Sequence, residues 1–541
     1  MNPRPFTFIG FALAALLLPS SPILAEETAP PNVLLIMVDD MGFSDLGCYG
    51  GEIDTPHLDQ LASSGLRFSQ FYNTGRCWPT RAALMTGRYP HEAGHAMTYG
   101  DKSPHRAYQG TSPDLGLMIP EVLNPAGYRS YHVGKWHLDS RSRNRNAPDT
   151  SPEARGFHRS YKIQTQHNFF NPWKIIDEGT LVERPAGDNP MGNGEYYLTD
   201  DLSEKTVAYI KDHTTSHPDQ PFFLYLAHTA PHFPLHARQK DIDRHLKRYR
   251  AGWDTIRKQR FKELKEQGLI PKETKFPPRD PDAVPWDSLS KEEQEKWATH
   301  MAIHAAMIYR VDQGIGQIVQ TLKELNQLDN TLILFLSDNG ASAEYLIRGD
   351  GHDPDAPAGS GASYLCLEVG WSNAANTPFR MHKMWTHEGG IATPLIAHWP
   401  AGLGQQDISH AQGHVVDVLP TQMELADAPH PENAPPVSGR SLAPVFFKKE
   451  MPNPEFLFWE HTGNKAIRVD DWKLVGEFGK PWELYNLAID RAETKNLIDQ
   501  HPEKAKALKK LYHEQADAQG VVDWSTLPGS KSKPSDDYRK K

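Results

Sequence analysis

Two pairs of oxygen-bearing side chains each follow a short apolar run and together could bind a metal ion. Asp39 and Asp40 end the run in NVLLIMVDDMG, and Asp338 and Asn339 end the run in TLILFLSDNG. Carboxylate and amide oxygens suit Ca²⁺ or Mg²⁺, whereas zinc would call for more His or Cys. Asp and Asn also cap strands and turns where no metal is bound, and the spacing alone favours neither interpretation.

One cysteine stands between two arginines in GRCWPTRAALMTGRYP. Pro79 suits the first turn of a helix and Gly87 can end it, so Cys77 is predicted at a helix N-terminus. The helix dipole and Arg81, one turn further on, favour negative charge there. A lone cysteine is more often a buried structural residue, but burying Arg76 and Arg81 without an anion would be costly.

Four further cationic or proton-donating side chains lie in short motifs. Lys135 and His137 are two residues apart in GKWHL, so on an extended segment they point the same way. His232 lies between two prolines in APHFP, and Lys383 lies in NTPFRMHKMWTHEGG. Taken singly, each is more often a surface residue. Taken together around a metal, they would supply the cations and proton donors that transfer of an anionic group requires.

The elements that would position these residues alternate between strands and helices. Apolar runs that stop at polar groups predict strands in NVLLIMV, YRSYHVGK, PFFLYLA, TLILFLS and TPLIAH, with helical patterns between them. This alternation predicts an α/β fold with a large mixed, mainly parallel sheet sandwiched by helices. Ligands of such sheets bind outside the carboxyl ends of the strands, where the polar residues above are placed.

Changes in composition along the chain predict its domains. Residues 26–430 would form the main α/β domain, and a charged helical insertion at about 237–297 could be solvated or could touch a membrane or an anionic partner. Short strands followed by a helix predict a smaller α+β domain at 431–525. The polar tail 526–541 is expected to be disordered.

The N-terminus has the pattern of an export signal. A basic residue, an apolar run too short to span a membrane and a small residue at Ala25 predict a signal peptide over 1–25. We therefore expect an exported protein, periplasmic or secreted, without stable membrane insertion. Three cysteines give no disulfide framework, although Cys48 could pair with Cys366 if Cys77 is reserved. The net charge of −10 disfavours nonspecific binding of nucleic acid.

These motifs, in this order, resemble those of the sulfatase family. CWPTRAALMTGR resembles the signature CxPSRxxxLTGR, with Thr80 and Met85 as departures, and the motifs of the strand ends and of Lys383 are similar to sulfatase segments from about Asn32 to Trp399. The insertion is similar to that of bacterial and fungal arylsulfatases. The resemblance implies the alkaline phosphatase-like fold and a type I enzyme, in which the signature cysteine is oxidised to Cα-formylglycine after translation.

The resemblance also implies a complete set of roles. The hydrate of formylglycine at position 77 would supply the nucleophilic oxygen, and one Ca²⁺ per chain would be bound beside it. The implied ligands are Asp39, Asp40, Asp338, Asn339 and residue 77. Arg81 would hold the hydrate, His137 would help release sulfate, Lys135 and Lys383 would bind sulfate oxygens, His232 with Lys383 would stabilise or protonate the leaving group, and Asp338 would activate the hydrate.

The activity implied by the resemblance is hydrolysis of a sulfate monoester, most simply an aryl sulfate. Alternatives are a carbohydrate sulfatase, a phosphomonoester or phosphonate ester hydrolase of the same superfamily, and a noncatalytic sulfate- or glycan-binding protein that keeps Cys77 unmodified. The partners would be a small sulfate ester or a sulfated glycan, and a formylglycine-generating enzyme during maturation. The segments 97–110, 164–189 and 348–374 are expected to form substrate loops, and their sequences do not specify a substrate.

Overall fold

The computed structural model describes most of the chain on either side of several gaps. The described residues are 29–97, 104–110, 113–139, 149–163, 168–172, 174–182, 196–346, 353–403 and 407–527. The predicted signal peptide, the tail beyond residue 527 and parts of the three predicted substrate loops lie outside them. Among the described residues, every helix is too short or too polar to cross a membrane.

The strands of the described chain form two sheets. The large sheet has ten strands in the order β10-β2-β9-β8-β1-β7-β3-β4-β5-β6, and the small sheet has the order β11-β12-β13-β14. The strands are β1 Asn32–Val38, β2 Leu66–Tyr72, β3 Arg129–Lys135, β4 Arg159–Ile163, β5 Ile175–Asp177, β6 Thr180–Leu181, β7 Phe222–Ala227, β8 Thr331–Ser337, β9 Ala392–His398, β10 Ile408–His414, β11 Leu457–His461, β12 Asn464–Val469, β13 Trp472–Gly476 and β14 Glu483–Asn486.

Helices cover the large sheet, and the C-terminal helix packs on the small one. The helices of the described chain are α1 Pro56–Ser63, α2 Cys77–Thr86, α3 Ile119–Leu123, α4 Leu198–Ser216, α5 Gln239–Tyr249, α6 Trp253–Glu266, α7 Lys291–Glu324, α8 Glu368–Ala375, α9 Glu388–Ile391, α10 Val418–Leu425, α11 Ala443–Phe446 and α12 Pro502–Gln519. The predicted α/β class and the smaller C-terminal α+β unit are confirmed.

The central strand shows why the strand segments of the sequence are continuously apolar and do not alternate between apolar and polar residues. β1 pairs in parallel with β7 on one side and with β8 on the other. Its alternate residues Leu34, Ile36 and Val38 enter one buried cluster, while Val33, Leu35 and Met37 enter another, so both faces of the sheet are covered. A strand that is buried on both faces has apolar side chains on both, so its sequence does not alternate between apolar and polar residues.

The strand directions bring the polar segments to one edge of the sheet. β1, β3, β7 and β8 run parallel to one another, so their carboxyl ends share an edge. β9 runs antiparallel to β8, and its beginning therefore lies at that edge. The segment with Lys383 precedes β9 and so reaches the same edge as the segments that follow the parallel strands.

Both cysteines that the sequence left available for a disulfide are free thiols. Cys48 lies in the main core cluster, and Cys366 packs against Phe233 and Tyr364 in a small separate cluster. The pairing that the sequence left open is therefore not formed in the structure. Each side chain serves as a small apolar residue in its own part of the core.

The charged insertion is helical, as predicted, but it is anchored in the core rather than solvated throughout. Arg260 of α6 is fully buried. Its guanidinium donates to both carboxylate oxygens of Glu52, at 2.8 and 2.7 Å, and to Asp45 Oδ1 at 2.7 Å. The pKa of Asp45 is lowered to about 2 because Arg260 and His304 outweigh the opposing effect of burial.

Replacing Arg260 by Met is expected to lower the free energy of unfolding by about 3–5 kcal/mol, because it leaves two carboxylates without their main cation in a dry environment. The lowered pKa of Asp45 means that this stabilisation is present above the ordinary value of 3.8 and is lost as the pH falls toward about 2. Urea unfolding measures both effects. Arg250→Met is the matched control, because Arg250 pairs with Glu295 at the surface; equal losses in the two variants would contradict the prediction.

Candidate active site

All ten residues predicted for the site meet at the shared edge of the sheet. One oxygen each of Asp39 and Asp338 and the sulfur of Cys77 lie within 4.8 Å of one another, and so do ligand atoms of Asp39, Asp40 and His232. The remaining five residues contact this group through the hydrogen bonds, ion pairs and electrostatic interactions described below. They are Arg81, Lys135, His137, Asn339 and Lys383.

Adjacent carboxylates face the same site because the backbone turns between them. In a continuous strand, neighbouring side chains would point to opposite faces. β1 ends at Val38, and Asp40 has a φ of 69°, in the left-handed region, so both Asp39 and Asp40 reach the site. Asp338 and Asn339 follow β8 in the same way, and Asn339 Nδ2 donates to Asp40 Oδ1 at 2.7 Å.

Two oxygens of this cluster are buried and have no hydrogen-bond partner among the described residues. They are Asp39 Oδ1 and Asn339 Oδ1. A buried polar atom without a partner costs about 1–3 kcal/mol, so such atoms are rare unless a ligand satisfies them. Together with Asp40 and Asp338 they form an all-oxygen set of the kind that a hard divalent cation prefers. The residues present therefore fit a calcium ion.

Three cations hold the carboxylates together. Lys135 Nζ donates to Asp39 Oδ2 at 2.5 Å, and Lys383 Nζ donates to Asp40 Oδ2 at 2.9 Å. Burial alone would raise the pKa of Asp39, but Lys135, His232 and Arg81 hold it well below its ordinary range. Burial lowers the pKa of Lys383, but the charges of Asp40 and Glu344 raise it by more. The pKa of Lys383 therefore lies well above its ordinary value. Lys383 and the third cation, Arg81, are therefore charged at neutral pH, because the pKa of each is raised.

Arg81 is fully buried and makes a fixed set of contacts. Its Nε and Nη2 donate to Asp338 Oδ2 at 3.1 and 2.7 Å, and its Nη1 donates to the backbone oxygen of Lys135 and to the Tyr225 hydroxyl. The anion expected beside the buried arginine is thus a carboxylate of the protein. Burial and the charge of Asp39 raise the pKa of Asp338, as expected where carboxylates are crowded together.

Cys77 is the first residue of α2, and Gly87 ends the helix in the left-handed conformation, as predicted. The Thr80 hydroxyl lies 2.8 Å from that of Thr74 and accepts from the Thr74 N–H, so this departure from the signature keeps a hydroxyl that ties the helix to the preceding loop. Burial raises the pKa of Cys77, and Lys135 and Lys383 offset this only in part.

The two histidines of the site are held differently. His232 Nδ1 lies 2.6 Å from the backbone oxygen of Phe233, and its Nε2 lies 3.6 Å from Asp40 Oδ2. Burial lowers the pKa of His232 to about 4. His137 is not on an extended segment as predicted, because β3 ends at Lys135 and His137 has a φ of 61°. Its ring packs edge-on against Trp78 with centroids 5.6 Å apart.

Glu344 is a member of the site that the sequence analysis missed. It is 6% exposed, its Oε2 lies 3.3 Å from Lys383 Nζ, and its Oε1 lies 3.6 Å from Arg76 Nη2. Burial raises its pKa, but Lys383 and Arg76 lower it well below the ordinary range. The only signal in the sequence is its place in the loop after β8, close to Asp338. Tyr225, whose hydroxyl accepts from Arg81, was also missed, because a tyrosine within an apolar strand is ordinarily interpreted as a core residue.

We expect Glu344→Gln to separate anion binding from catalysis. Removing the charge beside Lys383 and Arg76 makes the site more positive, so inorganic sulfate should inhibit about threefold more tightly. The turnover number should fall about tenfold, because Lys383 loses one of the two carboxylates that orient it. Steady-state kinetics with sulfate as inhibitor measures both. Glu344→Asp keeps the charge and should keep the parent inhibition constant; unchanged turnover in the Gln variant would contradict the positioning role.

Comparison with known proteins points to one family. The family model named Sulfatase matches residues 31–428, and a model of the C-terminal part of N-sulphoglucosamine sulphohydrolase matches residues 379–519. An uncharacterized sulfatase of Schizosaccharomyces pombe is 32% identical over 88% of this chain and 92% of its own. An arylsulfatase of Klebsiella aerogenes is 31% identical over 74% of this chain and 88% of its own.

A solved structure supports the same relationship. The crystal structure of Ps i-CgsB in complex with a neocarrahexaose superimposes with a TM-score of 0.66 and is 27% identical. The match covers 91% of this chain and 93% of that one. The similarity therefore extends through the large sheet and the C-terminal unit.

Proposed function

Because the chain belongs to the sulfatase family and is a sulfuric ester hydrolase, we propose that it hydrolyses aryl sulfates with formylglycine at position 77 and one bound calcium ion. The observation that carries the proposal is the meeting of Asp39, Asp338 and Cys77 within 4.8 Å of one another. Cations from three different segments surround that meeting point. Such an arrangement can hold the anionic sulfuryl group of a sulfate ester against a nucleophile and stabilise the charge that develops on its oxygens.

Calcium would be held by Asp39, Asp40, Asp338 and Asn339. The unpartnered oxygens of Asp39 and Asn339 support this ligand set. When bound, the ion would supply positive charge that stabilises anionic oxygens in the site. The thiol sulfur of an unmodified Cys77 is a soft ligand that calcium binds poorly. An oxygen at this position would instead add one more hard ligand to the four oxygen-bearing side chains.

The state of Cys77 also favours its modification. A buried thiol with a raised pKa is a poor nucleophile at neutral pH. The hydrate of formylglycine would offer one hydroxyl to attack sulfur and a second through which sulfate can later be expelled. Cys77 is 3% exposed in the folded chain, so the formylglycine-generating enzyme must act before this segment folds. Export through a signal peptide is part of the same proposal.

The buried cations would bind and orient the sulfate group. Lys135 and Lys383 would contact sulfate oxygens, and Arg81, fixed by Asp338, would hold the nucleophilic residue at the start of α2. His137 would assist release of sulfate from that residue. Asp338 would take the proton of the attacking hydroxyl, since burial and Asp39 raise its pKa toward that of a general base.

The tautomer of His232 follows from its hydrogen bond. The backbone oxygen of Phe233 can only accept, so His232 Nδ1 carries a proton and Nε2 is the nitrogen that faces Asp40. Nε2 can donate to a leaving oxygen only when the ring is an imidazolium. The negative charge of an arriving sulfate ester favours that form. His232 and Lys383 would then share the stabilisation of the leaving phenolate.

Turnover of matched esters tests the proposed reaction. We expect kcat/KM for 4-nitrophenyl sulfate to exceed those for 4-nitrophenyl phosphate and a 4-nitrophenyl phosphonate ester by at least about tenfold. Preference for a phosphorus ester would assign the site to the phosphate or phosphonate hydrolases of the superfamily. No turnover of any ester by protein that carries the modified residue would favour a binding role.

A carbohydrate sulfatase is the second candidate. It is favoured by the similarity to Ps i-CgsB, whose solved complex holds a neocarrahexaose. The same assay extended to N-acetylglucosamine 6-sulfate and to sulfated oligosaccharides separates the two. Higher kcat/KM on a sulfated sugar than on every aryl sulfate would replace the aryl assignment while leaving the reaction chemistry intact.

A further inference from the structure

A buried network of ion pairs joins the C-terminal sheet to the large sheet. Lys473 of β13 lies between two carboxylates, with its Nζ 2.9 Å from Glu388 Oε1 and 2.8 Å from Glu493 Oε1. A second cation, Arg491, places its Nη2 3.1 Å from Glu388 Oε2. All four residues are buried. Ion pairs that are removed from water stabilise a protein only when their geometry is well aligned, so this network holds its members in fixed positions.

The network includes the ends of two segments that carry residues of the proposed active site. Glu388 is the first residue of α9 and follows Lys383 by five positions. Tyr72 is the last residue of β2 and precedes Cys77 by five positions. The Tyr72 hydroxyl donates to Glu388 Oε2 at 3.0 Å and accepts from Arg468 of β12 at 2.6 Å. The two segments are thus joined to each other and to the C-terminal sheet at the same point.

The charges at the centre of the network are fixed by their neighbours. Burial raises the pKa of Glu388, but Lys473 and Arg491 lower it to about 2. Burial lowers the pKa of Lys473, but Glu388 and Glu493 raise it above its ordinary value. Glu388 and Lys473 are therefore both charged at neutral pH, and removal of either one leaves its partners without compensation in the core.

Three hydrogen bonds to backbone oxygens extend this junction toward the reacting groups. Trp459 Nε1 of β11 donates to the oxygen of Asn73 at 2.8 Å, in the loop before α2. Asn464 Nδ2 of β12 donates to the oxygen of Met384 at 3.1 Å, next to the lysine that would bind sulfate. The Met384 N–H in turn donates to the oxygen of Gly75 at 2.7 Å. The loop before α2 and the segment before α9 therefore lie side by side, and the C-terminal sheet is bonded to both.

We propose that the C-terminal sheet positions the active site and that Lys473 sets the distance between residue 77 and Lys383. Lys473 acts through Glu388 and is therefore a positioning residue. Lys383 would stabilise the leaving group, so a small displacement of its segment relative to the nucleophile would remove part of that stabilisation. The inference rests on the proposed function, and it gives the C-terminal unit a part in catalysis.

The dependence of the rate on the leaving group tests this role. Lys473→Met should lower kcat/KM for phenyl sulfate about tenfold more than kcat/KM for 4-nitrophenyl sulfate, because phenolate is the poorer leaving group and depends more on Lys383. A loss of folded enzyme would lower both values by the same factor. Arg260→Met is the matched control, because Arg260 is also a buried cation between two carboxylates, and the ratio of the two values should not change in it. Equal losses for the two esters in the Lys473 variant would overturn the positioning role.

A milder substitution keeps the test decisive if Lys473→Met does not fold. Tyr72→Phe removes only the hydroxyl that joins Glu388 to Arg468. It should shift the same ratio in the same direction by about threefold, because the segment before α9 loses one of its hydrogen bonds to the end of β2. In that case an unchanged ratio in Tyr72→Phe would overturn the proposal.

Hydrogen exchange tests the junction without turnover. The Met384 N–H donates across the junction, and the Glu388 N–H donates to Glu493 Oε2 at 2.9 Å. Relative to the amides of β1, both should exchange at least about tenfold faster in Lys473→Met than in the parent, and at an unchanged relative rate in Arg260→Met. Unchanged relative exchange in the Lys473 variant would overturn the proposal even if the parent hydrolyses sulfate esters. Faster exchange, with a parent that turns over no sulfate ester, would instead remove the proposed function and leave the junction in place.

Discussion

Replacing Cys77 by alanine is expected to lower kcat for 4-nitrophenyl sulfate by at least about a thousandfold, with little change in Tm. The proposed nucleophile is formed only from this side chain, so its removal leaves binding groups without a group that attacks sulfur. The fold should survive, because Cys77 is the first residue of α2, forms no disulfide and is replaced by a smaller residue of high helix propensity. Steady-state kinetics and thermal unfolding measure the two effects.

Two variants make this result specific. Cys48→Ala removes a buried free thiol from a different core cluster and should keep kcat within about twofold while lowering Tm by a few degrees. Cys77→Ser should form a seryl sulfate that persists, because a single hydroxyl can attack sulfur but no second one expels sulfate. The trapped ester is detectable by intact-protein mass spectrometry. Sustained turnover by the serine variant, without an accumulated ester, would contradict the proposed chemistry.

Asp338→Asn is expected to lose calcium and activity together. The substitution keeps an oxygen that can accept from Arg81, whose Nη2 lies 2.7 Å from Asp338 Oδ2, but it removes one negative charge from the ligand set. Calcium affinity should fall at least about a hundredfold, and kcat/KM at least about a thousandfold. Calorimetric titration with calcium and kinetics at saturating calcium measure the two losses.

Thermal unfolding separates this loss from a general destabilisation. Calcium at a hundred times its dissociation constant should stabilise the parent by about 2.7 kcal/mol, and this increment should vanish in Asp338→Asn. Asp312→Asn is the matched control, because Asp312 is a buried carboxylate that accepts the Leu58 and His57 N–H groups at the start of α1. It should lower Tm yet keep the calcium increment. Full calcium affinity in the Asp338 variant would show that the ligand set is wrong.

The sequence predicts the site well where a strand end determines the position of a residue. β1, β3, β7 and β8 are buried on both faces, so their apolar runs are visible without a structure, and parallel pairing brings their ends to one edge. The residues after those ends must then be close together. Lys383 is reached by a different route, since it precedes an antiparallel strand, and the sequence grouped it with the other cations without indicating how it would reach that edge.

Other features depend on backbone angles and packing that the sequence pattern does not show. Asp40 and His137 take positive φ values, and an extended segment is the ordinary expectation for both. Glu344 gains its role from distances of 3.3 and 3.6 Å to cations on two other loops. Burial also raises the pKa of Cys77, and Lys135 and Lys383 offset this only in part, which no pattern in the sequence shows.

Mass spectrometry of the tryptic peptide Cys77–Arg81, from protein made in a host with formylglycine-generating activity, tests the central claim most directly. The proposed function predicts that the peptide carries an aldehyde, in which the CH₂SH group has lost one sulfur and two hydrogens and gained one oxygen, or the hydrate of that aldehyde, which contains one further water. The modified fraction should scale with specific activity across preparations. An unmodified thiol in fully active protein would contradict the claim.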